Sequence, residues 1–178
     1  MKRVSVVGNS GSGKTTLAAE LGRRLAAPHL ELDAVFQQPG WQPLPVKEFR
    51  ARVAEFVAGD RWVVDGNYSS VQDLVWQRAD TVVWLDPPRH RVMRRVIWRT
   101  LRRAISRAEL WNGNREDWRS MFRIDPTQSI IAWAWTRDRI VRQRYSSAQD
   151  DPANAHLTFI RLSGDDGVAA LTSRAGRD

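Results

Sequence analysis

Cysteine is absent from the 178 residues, which excludes disulfide scaffolds, zinc–thiolate sites and thiol catalysis. Long apolar runs are also lacking. Ile130 to Trp135 is about the longest, far short of the ~18 residues needed to cross a bilayer, so no membrane partner is expected. The opening Met1-Lys2-Arg3-Val4-Ser5-Val6-Val7 is too short for a signal h-region and runs directly into a glycine-rich stretch. A cytoplasmic enzyme fits these absences. Lysine is scarce as well, so 25 of the 28 basic side chains are arginine. What remains is ordinary for a folded chain: 42% hydrophobic and 27% charged residues argue against wholesale disorder. The length suits one domain, or one domain with an inserted lobe.

The net charge of +8 is unevenly placed. Pro87 to Arg144 holds 15 arginines, no lysine and 5 acids, a net +10, and the rest of the chain is net −2. Guanidinium forks match phosphate oxygens and stay charged when desolvated, so a phosphate-rich partner is expected there; a solvated arginine face is the plainer alternative.

Periodicity divides the chain into alternating strands and helices. Strands are expected at Lys2–Val7, His29–Leu32, Arg61–Val64, Thr81–Leu85 and Leu157–Leu162. Helices are expected at Lys14–Ala27, Val46–Ala58, Val71–Arg78, Arg89–Ala108 and Pro126–Arg144, with a short one near Val168–Leu171. Phe36–Pro45 reads as loop and Ser146–Ala155 as polar linker. This alternation predicts an α/β fold, a mostly parallel five-stranded sheet with helices on both faces. The expected organisation is a single domain, with a core of 1–86 and 145–178 and an arginine-rich helical lobe at 87–144.

One motif decides most. Gly8-Asn9-Ser10-Gly11-Ser12-Gly13-Lys14-Thr15 matches G-x-x-x-x-G-K-[ST] at every fixed position, between a predicted strand and a predicted helix. A chance match in this length is roughly one in a hundred. Its glycines let several backbone N–H groups converge on phosphate oxygens, and the helix start directs its positive dipole end at the same anion. Lys14 supplies an ammonium for the β- and γ-phosphates, and Thr15 a hydroxyl ligand for Mg²⁺. The implied ligands are ATP and Mg²⁺.

Phosphoryl transfer also needs a metal shell, an oriented acceptor and charge neutralisation. Asp65, at the end of the third expected strand, either holds Mg²⁺ through water or turns the chain before Gly66. Asp33, after the second, either serves an acceptor hydroxyl as general base or caps the following loop. Asp86 reads as a turn residue before Pro87-Pro88. Arg95, Arg99, Arg102 and Arg103, with Arg137 and Arg142 behind them, are candidates for closing over the γ-phosphate. Trp41 and Asn67 are expected beside the acceptor. Trp98, Trp111, Trp118, Trp133 and Trp135 read as lobe core, with base-stacking platforms as the alternative.

The phosphate loop, Trp62-Val63-Val64-Asp65-Gly66, Val82-Val83-Trp84-Leu85-Asp86-Pro87-Pro88 and the arginine-rich helix pair together resemble the adenylate-kinase-like small kinases. Leu32-Asp33 to Gly40-Trp41, Asp65-Gly66-Asn67-Tyr68 and Asn114-Arg115-Glu116 resemble a bacterial subgroup labelled topology modulation proteins. The resemblance implies a P-loop sheet ordered 2-3-1-4-5 and an arginine LID after the fourth strand. It also implies that Gly8 to Thr16 binds ATP phosphates and Mg²⁺, with Thr15 as ligand and Asp65 in the metal shell. Arg95 and Arg99 correspond to the first LID arginines and Arg137 to one on the returning helix, while Arg161 to Gly167 would pass near adenine. Where adenylate kinases carry Phe-Pro-Arg after the Asp-Gly, this chain has Asn67-Tyr68-Ser69, which removes the arginine that grips an acceptor nucleotide's phosphate. The expected activity is ATP-dependent phosphorylation of a small acceptor. The competing class is a nucleic-acid-binding or regulatory ATPase that uses the basic segment on DNA.

Overall fold

The computed structural model describes residues 1–106, 111–114 and 130–175. Its strands are β1 (Arg3–Gly8), β2 (His29–Glu31), β3 (Gln37–Gln38), β4 (Gln42–Pro43), β5 (Trp62–Asp65), β6 (Thr81–Leu85) and β7 (Thr158–Leu162). Its helices are α1 (Lys14–Arg24), α2 (Leu32–Phe36), α3 (Val46–Val57), α4 (Ser69–Arg78), α5 (Arg89–Ser106), α6 (Ile130–Gln149) and α7 (Asp165–Arg174).

Five strands form one parallel sheet in the order β2-β5-β1-β6-β7. Counted among the parallel strands alone, this is the expected 2-3-1-4-5. The middle strands are valine-rich because both sheet faces are covered. Successive residues of β1 feed different cores: Val4 and Val6 pack with Leu17, Leu21, Val63, Val83 and Leu171, beneath α1 and α7. Val7 packs with Phe49, Val53, Val64, Val75, Trp76, Trp84 and Tyr145, beneath α3, α4 and α6. The result is three layers, helix–sheet–helix. The crossover from β1 runs to β2 on one side of it and the crossover from β5 runs to β6 on the other, which opens a crevice at the carboxyl ends of β1 and β5.

Several boundaries differ from the sequence reading for identifiable reasons. Helix α1 stops at Arg24, three residues before the expected end, because Ala26 takes a left-handed conformation (φ 48°) and the Ala27 N–H bonds Gly22 O at 2.9 Å. Helix α6 runs on to Gln149 through the expected linker: Tyr145 and Ala148 pack into the core, and Asn154 Nδ2 donates to Ala148 O at 2.9 Å. The expected loop at Phe36–Pro45 contains the small antiparallel hairpin β3–β4, turned by Gly40 (φ 72°) and Trp41 (φ 58°). Trp98, expected in a lobe core, is 69% exposed. The side chains of Arg103, Trp111, Trp118, Trp133, Trp135 and Arg137, and the helix start expected at Pro126, lie outside the described residues.

Candidate active site

The crevice is floored by the loop from Gly8 to Lys14, and its shape depends on glycine at three places. Gly8 (φ 148°), Gly11 (φ 78°) and Gly13 (φ 96°) have backbone angles that L side chains rarely adopt. Space forbids a side chain too: a Cβ on Gly8 would lie 2.5 Å from Leu85 O, and one on Gly11 would lie 2.5 Å from Val96 Cγ2. The loop is held from within by Ser12 N–H donating to Asn9 O (3.1 Å) and Ser10 N–H to Asn9 Oδ1 (2.8 Å). Gly13 occupies the N-cap of α1, and among the described residues no side chain caps that helix.

Thr15 projects from the first turn of α1 to the ends of β2 and β5. Its Oγ1 donates to Asp65 Oδ2 at 2.7 Å and lies 3.3 Å from Glu31 Oε1. Asp65 is 1% exposed, and its other oxygen meets His29 Nε2 at 3.0 Å. The structure therefore brings Thr15 and Asp65 together and adds Glu31 and His29, which the sequence reading missed. The signal was available only in register: the pairs His29↔Val63 and Glu31↔Asp65 place those side chains beside Asp65.

Helix α5 sits directly on the loop. Val92 and Val96 are buried against Gly11, and beside them two arginines reach loop atoms. Arg95 Nη1 donates to Ser12 O at 3.2 Å and its Nη2 to Asp165 Oδ1 at 3.1 Å; Arg99 Nη2 donates to Ser10 Oγ at 3.1 Å. Arg102 is exposed. Arg142 and Arg161 are engaged elsewhere. Asp86, read from sequence as a turn residue, is a buried carboxylate held by Arg142 Nη2 at 3.1 Å and by Arg161 Nε at 2.9 Å. Arg161 also lies 4.4 Å over the Trp84 ring. Asp86 thus ties α6 and β7 to the end of β6.

On the β2 side, Tyr68 O–H donates to Asp33 Oδ1 at 2.6 Å, inside an aromatic cluster with Phe36 (4.8 Å) and Phe49 (5.2 Å). Burial, then the Asp33 charge, raises the Tyr68 hydroxyl well above the usual phenol range, so it acts as a fixed donor. Trp41 lies at the hairpin tip, 41% exposed, its N–H donating to Asn114 Oδ1 at 3.0 Å. Asn67, expected beside an acceptor, instead directs its carboxamide at Gly8 and Tyr145.

A nucleotide triphosphate with Mg²⁺ fits what is present. Three glycines let the loop backbone take positive φ, and among the described residues Ser12 Oγ, buried at 2% residue exposure, has no hydrogen-bond partner. Among the described residues no group of three or more His, Asp or Glu could hold a cation unaided. A magnesium ion at Thr15 would therefore complete its shell from nucleotide oxygens and water, its usual preference. Also among them, no helix is long and apolar enough to cross a membrane.

No protein-family model matches the chain, and no curated protein matches it in sequence. Solved structures do. A shikimate kinase from Acinetobacter baumannii, determined in complex with shikimate, matches with a TM-score of 0.54 at 17% identity, over 98% of this chain and 90% of its own. A gluconokinase from Sinorhizobium meliloti 1021 matches with a TM-score of 0.48 at 16% identity, over 97% and 94%. The fold of this chain is that of the shikimate-kinase structure, an α/β fold with a five-stranded parallel sheet.

Proposed function

We propose that this chain is an ATP-dependent phosphotransferase that moves the γ-phosphoryl group of ATP to a small acceptor. One observation carries the reading: the Gly8–Thr15 cradle, the Thr15–Asp65 pair and the guanidinium groups of Arg95 and Arg99 converge on one crevice. In this reading Gly8, Asn9, Ser10, Gly11, Ser12, Gly13, Lys14, Thr15 and Thr16 bind the phosphates. Thr15 and Asp65, joined by Glu31, hold Mg²⁺, which when bound neutralises charge on the triphosphate. Lys14, Arg95, Arg99 and Arg137 stabilise charge on the group in transfer. Asp33, fixed by Tyr68, orients and deprotonates an acceptor hydroxyl.

The likeness in fold to a shikimate kinase supports a small-molecule acceptor in general and names none. Two of the three stretches that resemble the topology modulation subgroup converge on the acceptor side, through Tyr68 to Asp33, and the third joins them through Asn114 to Trp41. We place the chain near that subgroup on the resemblance of these sequence stretches alone. The test is an ADP-release screen with Mg·ATP across nucleosides, nucleotides, sugar acids and shikimate-like alcohols. Acceptor-dependent release supports the assignment; ATP binding with no acceptor-dependent release across the panel counts against it.

A second reading has its own observation. Trp98 is exposed on α5 between Arg94 and Arg102, which are also exposed and lie on the same helical face. An aromatic flanked by guanidinium groups can stack a nucleobase and contact phosphate. DNA binding gated by ATP would favour this reading. Binding that falls steeply with salt and ignores ATP would be generic attraction.

A further inference from the structure

The β1–β5 ladder ends in an unusual way. Backbone pairing runs from Arg3↔Trp62 to Val6↔Asp65, and the Gly66 N–H still reaches Val6 O at 3.3 Å. At the next rung the partner is a side chain. The Gly8 N–H donates to Asn67 Oδ1 at 3.2 Å, and Asn67 Nδ2 donates to Gly8 O at 2.6 Å. The carboxamide stands in for a strand residue and holds both backbone groups of the first residue of the phosphate loop. On its other flank Gly8 stands in register with Leu85 of β6.

The orientation of the amide is fixed by its partners. Asn67 Oδ1 also accepts from the Tyr145 hydroxyl at 2.9 Å, which fills its two acceptor sites. A flipped amide would set its NH₂ against the Gly8 N–H, two donors facing each other. Tyr145 is 2% exposed, and burial pushes its hydroxyl up to about 12, so it stays a donor across the working pH range. Tyr145 lies on α6, whose Arg142 is bound to Asp86 at the end of β6. A continuous set of contacts therefore joins α6 to the loop entrance.

We infer that Asn67 is a positioning residue for the nucleotide phosphates: it locks the Gly8 backbone at the mouth of the cradle and, through Tyr145, ties that lock to helix α6. This rests on the phosphate-loop reading above and adds to it a residue that touches neither nucleotide nor acceptor. Because couplings to binding are reciprocal, phosphate at the loop steadies the docked α6 by the same factor that docked α6 raises phosphate affinity.

The test uses the full chain and three probes: Mg·ATP, Mg·tripolyphosphate and adenosine, titrated into wild type, Asn67→Ala, Tyr145→Phe and the double variant. Folding is checked by circular dichroism and Gly8 by amide exchange. Asn67→Ala should weaken Mg·ATP and Mg·tripolyphosphate about 10-fold or more, as expected for losing contacts that orient ligating groups, and should leave adenosine unchanged. Its Gly8 amide should exchange faster. In the ATP reaction the loss should appear in KM for ATP rather than in kcat. Tyr145→Phe should give a smaller loss, and the double variant should be no worse than Asn67→Ala, because Tyr145 acts through Asn67. If Asn67→Ala fails to fold, Tyr145→Phe decides alone: a weaker tripolyphosphate affinity with adenosine unchanged supports the coupling, and unchanged affinities overturn it. A folded Asn67→Ala protein with wild-type tripolyphosphate affinity overturns the inference and leaves the kinase reading standing. A folded wild type that binds neither Mg·ATP nor Mg·tripolyphosphate removes the kinase reading and this inference with it.

Discussion

At the residue scale, the phosphate loop was legible because its pattern is local. Glycine at Gly8, Gly11 and Gly13, an ammonium at Lys14 and a hydroxyl at Thr15 fall within eight consecutive positions. Lys14→Ala should therefore abolish ATP turnover while the circular dichroism spectrum and thermal midpoint stay near wild type. Gly8→Ala should act on the fold itself. Its Cβ would meet Leu85 O at 2.5 Å with φ at 148°, and a cost of about 1–3 kcal/mol should appear as a lower denaturant midpoint. Other roles were illegible for the opposite reason. Asp86 reads as a turn residue until Arg142 and Arg161 arrive from 56 and 75 residues away. Asn67 looks like an acceptor contact until its amide is seen on the Gly8 backbone. The buried Tyr145 yields a pH prediction. A Tyr145 hydroxyl raised to about 12 keeps its proton after the unfolded chain, near ~10, has lost its own. Below ~10 this group's contribution to stability is complete, and it is lost as pH rises from ~10 to about 12. Denaturation between those values should show falling stability, and Tyr145→Phe should flatten part of the fall.

At the scale of elements, the sequence displayed the five core strands as valine-rich runs between amphipathic helices, while their order was implied by the family resemblance and not by periodicity. The hairpin β3–β4 was hidden, since two-residue strands have no periodicity. Much of its support comes from the turn at 111–114. Asn112 Nδ2 donates to Ala34 O (3.1 Å) and Gln37 O (2.6 Å), while Asn114 Nδ2 donates to Gln38 O (2.9 Å) and its Oδ1 accepts from Trp41 N–H (3.0 Å). These partners lie 73 to 78 residues apart in sequence, beyond the reach of any local pattern. Asn114→Ala removes two of the four bonds, each worth about 1 kcal/mol net. Amides at 37–43 should then exchange several-fold faster, with β1 and β6 unchanged. Unchanged exchange in the hairpin would mean that this turn does not hold it.

At the scale of the whole molecule, the sheet gathers every element of the candidate site at one edge. The carboxyl ends of β1, β2 and β5 carry the loop, Glu31 and Asp65, and helices α5 and α6 are fastened to the same edge through Arg95, Arg99 and Tyr145. The concentration of arginine between Pro87 and Arg144, visible as arithmetic in the sequence, acquires a direction from this arrangement: two of its members face the phosphate loop and others face solvent. Ligand binding to the folded state alone must raise stability by mass action, so the site can be tested without knowing the acceptor. The most direct measurement is calorimetric titration of Mg·ATP into the wild-type chain and into Lys14→Ala. Saturable one-site binding by the wild type, lost or weakened at least about 10-fold in the folded Lys14→Ala protein, is the predicted result. A folded wild type that takes up no Mg·ATP, or a Lys14→Ala protein that binds it equally well, would contradict the account.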